Sequence, residues 1–297
     1  MFSILIPVFN YNISKLVCEI HKQASASKIK FEIIYCEDGS NKYVEKNKST
    51  IETLSFTKSI ISNNNLGRTQ TRQLLSDAAS YNWLLFLDAD VFPKLKDFIE
   101  IYIKKITLGH QAIYGGFAYT RTKPESDFIL RWKYGKTYEE VNADIRNSKP
   151  YQVIISANFI IKKDVFNKIN SKINRKGYGL DNYFASLLKQ NSINILHINN
   201  EVYHLGIEKS IHYLDKIEEA IKNLIWLFNA DKLSIHSNKL LSIYVVLKKL
   251  RLHYLLRFLF PIFKPFLKKN LVGNNPNMIL LQFYKVLYIC FEDLNNK

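Results

Sequence analysis

The run Trp83-Leu84-Leu85-Phe86-Leu87, followed by Asp88-Ala89-Asp90, constrains the fold more than any other stretch of this chain. Five consecutive apolar residues ending in acidic ones read as a strand buried on both faces, the kind found in parallel sheets covered by helices on each side. Sheets of that kind bind ligands at the carboxyl ends of their strands. Two carboxylates on alternate residues at such an end can converge on one hard divalent cation, and that cation can hold the phosphates of a nucleotide. A D-x-D triplet alone recurs by chance about once in a chain of this size, so its surroundings must decide what it does.

Those surroundings repeat the same unit. Ser3-Ile4-Leu5-Ile6-Pro7-Val8-Phe9-Asn10 is a short apolar run ended by Pro and Asn, a buried strand entering a loop, and it lacks the cationic start of a signal peptide. Apolar residues at helical spacing (Ile13, Leu16, Val17, Ile20) predict a helix between Ile13 and Lys28, and Phe31 to Cys36 predicts a second strand. That strand ends in Glu37-Asp38-Gly39-Ser40, again acidic and turn-forming. Ser59-Ile60-Ile61 predicts a third strand, Asn63 to Gly67 a loop, and the helix after it carries Arg68 and Arg72 one turn apart on a shared face.

In this order S-I-L-I-P-V-F-N, E-D-G-S, N-L-G-R-T-Q-T-R, L-D-A-D, S-A-N-F and G-Y-G-L-D-N resemble the family 2 glycosyltransferases of the GT-A fold, over roughly residues 1–207. The resemblance implies an α/β fold with a Rossmann-like, mostly parallel sheet flanked by helices. It places Pro7 and Asn10 in the nucleotide-facing first loop, Asp38 on the base or ribose of a nucleoside diphosphate sugar, and Arg68 and Arg72 near that nucleotide. It also makes Asp88 and Asp90 the ligands of Mg2+ or Mn2+, with Asp88 next to the nucleotide and His204 of Val202-Tyr203-His204-Leu205-Gly206 as a third ligand. The chemistry agrees in kind: a carboxylate accepts from uracil N–H or ribose hydroxyls, and guanidinium groups pair with diphosphate oxygens. The blander readings are a turn residue for Asp38, a solvated helix face for the arginines and a structural histidine at 204. His197 competes locally with His204 but belongs to the strand Ile195 to Ile198.

The acceptor side should come from later segments. Ala112 to Phe117 reads as a strand whose Gly115 and Gly116 allow close approach, and Val153 to Phe159 as one whose end lines the donor sugar. Between them, Arg131, Trp132 and Tyr134 suit either a sugar platform or a surface helix packed by its tryptophan. Inverting family members usually carry Glu-Asp after G-Y-G or G-W-G, the second acid removing the acceptor proton. Counting forward from Gly177-Tyr178-Gly179 puts Asp181 at the Glu position and leaves Asn182 as the base, which an amide cannot be. Counting back from the following helix makes Asp181 the base and Leu180 the replacement for Glu, and helices resist insertion better than loops do. A helix cap is the plain alternative for Asp181.

The carboxyl third differs in character. From Lys232 to Phe291 there are ten Lys or Arg and no Asp or Glu, within a chain of formal net charge +16, and the segment is rich in Leu, Ile, Phe and Tyr. No apolar run reaches the roughly 18 residues that a spanning helix needs. The expectation is a catalytic domain over 1–207 and a helical, basic and amphipathic region over 208–297, either interfacial on an anionic membrane or packed as a subdomain. Three scattered cysteines favour a reducing cytoplasm over a disulfide framework. A pI near 9.5 also suits a nucleic-acid binder, but the cations are interleaved with aliphatic runs and no nucleic-acid motif occurs. A nucleotidyltransferase would carry a glycine-rich, basic loop where Pro7 to Asn12 stands. The expected protein is therefore an inverting, metal-dependent transferase moving a sugar from a UDP-sugar to a hydroxyl of a glycan or lipid-linked acceptor. It is expected at the cytoplasmic face of a membrane and without a nucleic-acid partner.

Overall fold

Residues Phe2–Val8 form β1, buried along its length except at Pro7, as a strand covered on both faces must be. The structure is a computed structural model that describes residues 1–233 and 235–295. After β1 come α1 (Ser14–Ala26), β2 (Phe31–Asp38), α2 (Val44–Ile51), β3 (Thr57–Ser62), α3 (Arg68–Ala78), β4 (Trp83–Leu87), β5 (Val91–Pro93) and α4 (Phe98–Lys105). Then follow β6 (Ala112–Tyr114), β7 (Phe117–Ala118), α5 (Ile129–Tyr138), α6 (Ala143–Ser148), β8 (Asn158–Lys162), α7 (Lys163–Asn170), α8 (Asp181–Gln190), β9 (Ile195–His197) and β10 (Val202–His204). Four helices end the chain: α9 (Ser210–Asn229), α10 (Lys239–Lys249), α11 (His253–Leu271) and α12 (Met278–Asn295).

The chain divides into two compact units, and the division is not linear. The first holds 1–118, 140–176 and 191–206; the second holds 119–139, 177–190 and 207–297. The last crossing lies between 206 and 207.

In the first unit a seven-stranded sheet runs β3-β2-β1-β4-β8-β6-β9. The chain builds outward from β1 to β3, then returns to place β4 on the other side of β1, with all of these pairs parallel. Such a reversal of strand order opens a crevice at the carboxyl ends, where Asp38 and the Asp88 triplet stand. Edge strand β3 is only half-buried, whereas Leu84 to Leu87 of β4 are fully buried. A second sheet, β5-β10-β7, joins the segments after Asp90 and before Leu205.

Two strands differ from expectation. Ala112 to Phe117 is split, because Gly116 takes φ +92 and the chain leaves one sheet for the other there. A Cβ on Gly115 would stand 2.4 Å from the Asn158 amide and from the Asn200 carbonyl, so the close approach is internal packing. The Val153–Phe159 run becomes a strand only from Asn158, and it lies antiparallel to β4, pairing Leu87 with Asn158. Its amino end, not its carboxyl end, thus sits beside Asp88, whose N–H donates to Ala157 O (3.1 Å).

The second unit is helical. α11 and α12 pack as a hairpin around Phe260, which meets Tyr284, Tyr288 and Phe291 at ring separations of 5.5, 5.2 and 4.9 Å. Arg131 is buried, paired with Glu139 at 3.0 Å and lying 5.0 Å from the Tyr213 ring. Trp132 donates Nε1–H to Thr120 O (3.0 Å). These two residues serve packing within the unit. No helix among the described residues is long and apolar enough to cross a membrane.

Candidate functional site

The first unit carries a cleft of about 320 Å³ at the carboxyl ends of β1, β2 and β4, lined among others by Pro7, Asp38, Arg68, Asp88 and Asp90. Its rim is stapled by Asn10, a left-handed residue (φ 51) whose Oδ1 accepts from Asn41 N (2.8 Å) and Lys42 N (3.0 Å). Asn10 itself does not line the cleft; it locks the loop after β1 to the loop after β2. Phe9 and Tyr11 do line it. Tyr11 is held from behind by Asn47, which donates to Tyr11 O (2.9 Å) and to the buried Glu37 carboxylate (2.8 Å). Burial and then the nearby Asp90 carboxylate push the Tyr11 hydroxyl pKa up. Neither aromatic was singled out in the sequence, since an aromatic after a strand carries no local signal for lining a site.

Asp38 braces the third loop. Its Oδ1 accepts from Leu66 N (2.6 Å) and its Oδ2 from Gly67 N (2.9 Å), while Gly39 (φ +71) lies so close to that loop that a Cβ would be 2.4 Å from Asn65 N. Each carboxylate oxygen keeps a second lone pair for a ligand. Gly67 (φ +85) is covered by the Lys176 stem, whose Nζ donates to Asn65 O (2.7 Å). Lys176, distant in sequence, is a rim residue that no motif announced.

The two arginines share one target. Arg72 is buried and donates to Asp88 Oδ1 (2.8 Å) and Ser156 O (2.6 Å), its guanidinium lying 5.8 and 5.7 Å from the Phe86 and Phe159 rings. Arg68, with 48% of its side chain exposed, reaches Asp88 Oδ2 at 3.2 Å. Position 72 therefore orients Asp88 from within, whereas position 68 faces the cleft.

Asp90 is placed differently. It precedes β5, which pairs antiparallel with β10 so that Val91 stands opposite His204. His204 Nε2 lies 3.3 Å from Asp90 Oδ2, and the backbone is closed by Leu205 N donating to Asp90 O (2.8 Å). A Cβ on Gly206 would fall 2.0 Å from Asp90 Oδ2, so the carboxylate occupies space that only glycine leaves. Burial works against the charged form of Asp90, but the hydrogen bond and charge of His204, then Arg68, outweigh it and hold the carboxyl below its ordinary range. Asp90 and His204 offer a divalent cation two suitable donors, a carboxylate oxygen and an imidazole nitrogen 3.3 Å apart, but among the described residues no three His, Cys, Asp or Glu side chains cluster as a closed metal site. Asp88 Oδ2 faces the exposed Arg68.

His197 is a core residue. Its ring pairs with Pro150 O (2.8 Å) and with the buried Arg146 (2.9 Å), and burial together with Arg146 lowers its pKa to about 4. Asp181 belongs to the second unit as the first residue of α8. The loop before it is held by α9: Tyr178 N donates to Glu219 Oε1 (2.8 Å), Asn223 Nδ2 donates to Tyr178 O (2.8 Å), and Gly179 (φ +84) abuts Ala220. Leu180 is buried, and the Asn182 side chain bonds Gly179 O (3.2 Å) and Asn238 (2.9 Å).

The mostly parallel seven-stranded sheet flanked by helices, with acidic residues at the carboxyl ends of its strands, has the architecture of the GT-A class of transferase folds. The chain belongs to glycosyl transferase family 2, whose profile matches residues 3–169. It is similar in fold to S. aureus TarS 1–349, with a TM-score of 0.51 at 16% identity over 75% of this chain and 64% of that one. TarS 1–349 in complex with UDP-GlcNAc gives 0.51 at 17% identity, over 73% and 64%. The mannosyltransferase PcManGT from Pyrobaculum calidifontis, in complex with GDP-Man and Mn2+, gives 0.50 at 12%, over 74% and 61%. The chain thus spans less than two thirds of each of these structures. Comparison with curated protein sequences gave no match.

Proposed function

We propose that this glycosyltransferase is metal-dependent and inverting, and that it moves a hexose or related sugar from a nucleoside diphosphate, UDP in the first instance, to a hydroxyl of a surface glycan or lipid-linked acceptor at the cytoplasmic face of a membrane. The observation that carries the reading is the convergence of Asp38, Arg68, Asp88 and Asp90 on one cleft. Sugar nucleotides bound to fold neighbours, UDP-GlcNAc and GDP-Man, support the donor class.

In this reading Asp38 uses its remaining lone pairs on the base N–H or ribose hydroxyl, beside the rings of Tyr11 and Phe9. Arg68 turns from Asp88 to the diphosphate. Asp90 and His204, with Asp88 oriented by Arg72, would hold Mn2+ or Mg2+, which would supply Lewis-acid neutralisation of charge on the leaving nucleotide. Asp181 takes the acceptor hydroxyl proton as that oxygen attacks the anomeric carbon, while the bond from that carbon to the diphosphate oxygen breaks and the nucleoside diphosphate leaves with the electron pair.

The test is a pair of variants assayed separately for binding and turnover. Asp90→Ala should lose Mn2+-dependent UDP binding with an unchanged circular dichroism spectrum. Asp181→Asn should lower turnover by roughly two to four orders of magnitude with donor affinity nearly intact, and Asn182→Ala should be much milder. Undiminished metal-dependent binding in the first variant, or near-normal turnover in the second, defeats the corresponding assignment.

A further inference from the structure

α11 is apolar on both sides, and only one side is covered. His253, Phe260, Leu267 and Leu271 are buried in the unit. On the opposite face Phe258, Ile262 and Phe266 are 66%, 69% and 65% exposed, and Leu255 continues the row. Residues spaced by three and four share one helical face, so this is a continuous apolar strip about three turns long. It extends sideways through the ring contact of Phe263 with Phe283 of α12, both also exposed. α10 carries a second such strip, Ile243, Val246 and Leu250. A solvent-facing helix ordinarily has its polar residues there.

What covers this face is indicated by charge. Between Lys232 and Phe291 there are ten basic residues and no acidic one. Lys248 and Lys264 are engaged within the unit by Asp293 and Glu218, at 3.3 and 3.2 Å, but Lys249 and Arg251 precede the α11 strip and Lys268 and Lys269 end it. A second copy of the chain would bring the same cations against themselves. A bilayer with anionic headgroups offers apolar depth to the strip and negative charge to its ends, and no described helix is able to span it.

We infer that the outer face of α11, bordered by Arg251, Lys268 and Lys269, lies in the plane of an anionic membrane with Leu255, Phe258, Ile262 and Phe266 inserted. The inference names the surface for the membrane workplace proposed above and rests on that part of it alone.

The experiment is flotation of the intact chain, without sugar nucleotide, on phosphatidylcholine vesicles with and without phosphatidylglycerol, and calorimetric UDP binding is measured in parallel. Wild type should float with the anionic vesicles and less so at high salt. Phe258→Glu with Ile262→Glu should lower the partition coefficient at least about tenfold, with thermal stability and UDP affinity unchanged because both side chains face outward. Lys268→Gln with Lys269→Gln should weaken binding to anionic vesicles only. Equal binding of wild type and the Glu variant, or no vesicle binding by wild type, overturns the inference. So does a lipid-free wild-type dimer that the Glu variant turns into a monomer without vesicle binding in either, since a second copy then covers the face. In each of these cases retained UDP affinity leaves the transfer reading standing.

Discussion

Arg68 and Arg72 lie one turn apart on α3 and touch the same carboxylate, yet their removal should have opposite signatures. Arg72→Ala takes the buried partner from Asp88 Oδ1 and from Ser156 O, and empties the space between the Phe86 and Phe159 rings. Removing one member of a buried pair costs about 3–5 kcal/mol. Arg68 stays within 3.2 Å of Asp88 Oδ2 and compensates part of the charge, so the lower end, about 3 kcal/mol, is expected. For a chain of this size that is a fall in Tm of roughly 6 °C or more. Arg68→Ala removes a half-exposed contact of about 0–1 kcal/mol, a shift of about 2 °C or less. UDP affinity measured without divalent metal, where the orientation of Asp88 by Arg72 matters least, should respond the other way, with Arg68→Ala losing about tenfold, the equivalent of one charge-assisted hydrogen bond, and Arg72→Ala losing less. Differential scanning fluorimetry and isothermal calorimetry on both variants give the four numbers. Equal, small Tm shifts would refute the division between a buried arginine that orients Asp88 and an exposed one that meets the ligand.

Gly206→Ala places a methyl group 2.0 Å from Asp90 Oδ2, so it should displace the carboxylate from His204 and weaken Mn2+-dependent UDP binding at least about tenfold. Binding at wild-type strength in that variant means the carboxylate position is not critical. His197 should make the fold acid-sensitive. Its folded pKa, about 4, lies below the ~6.5 of an unfolded histidine, so the stability it contributes is complete above about pH 6.5 and is lost as pH falls toward 4, up to about 3 kcal/mol. Urea unfolding of wild type and His197→Gln across that range should show a gap that depends on pH; parallel curves would show that the histidine does not titrate between the two states.

The sequence alone carried the strands and their acidic ends. Phe2–Val8, Phe31–Asp38 and Trp83–Leu87 are legible because a strand covered on both faces must be apolar throughout, and a loop at its end must turn. Asp38, Asp88 and Asp90 follow from adjacency to those strands, which is covalent and therefore visible in one dimension. The GT-A class was legible for the same reason, since its motifs are local and ordered.

What required the tertiary structure is everything set by pairing across the chain. The family resemblance names His204 beside Asp90, but the physical reason is tertiary: β10 lies antiparallel to β5 in one register, and a shift of one residue would turn the imidazole to the other face. β8 runs against β4, which brings Ser156 O to Arg72; an apolar run does not state its direction. The segments 119–139 and 177–190 join the helical unit because the residues that hold them, Tyr213 for Arg131 and Glu219 and Asn223 for Tyr178, lie on α9. On α11, where both sides are apolar, composition cannot say which side is covered. Packing decides it, by burying Phe260 against α12 and leaving Phe258 and Ile262 outside.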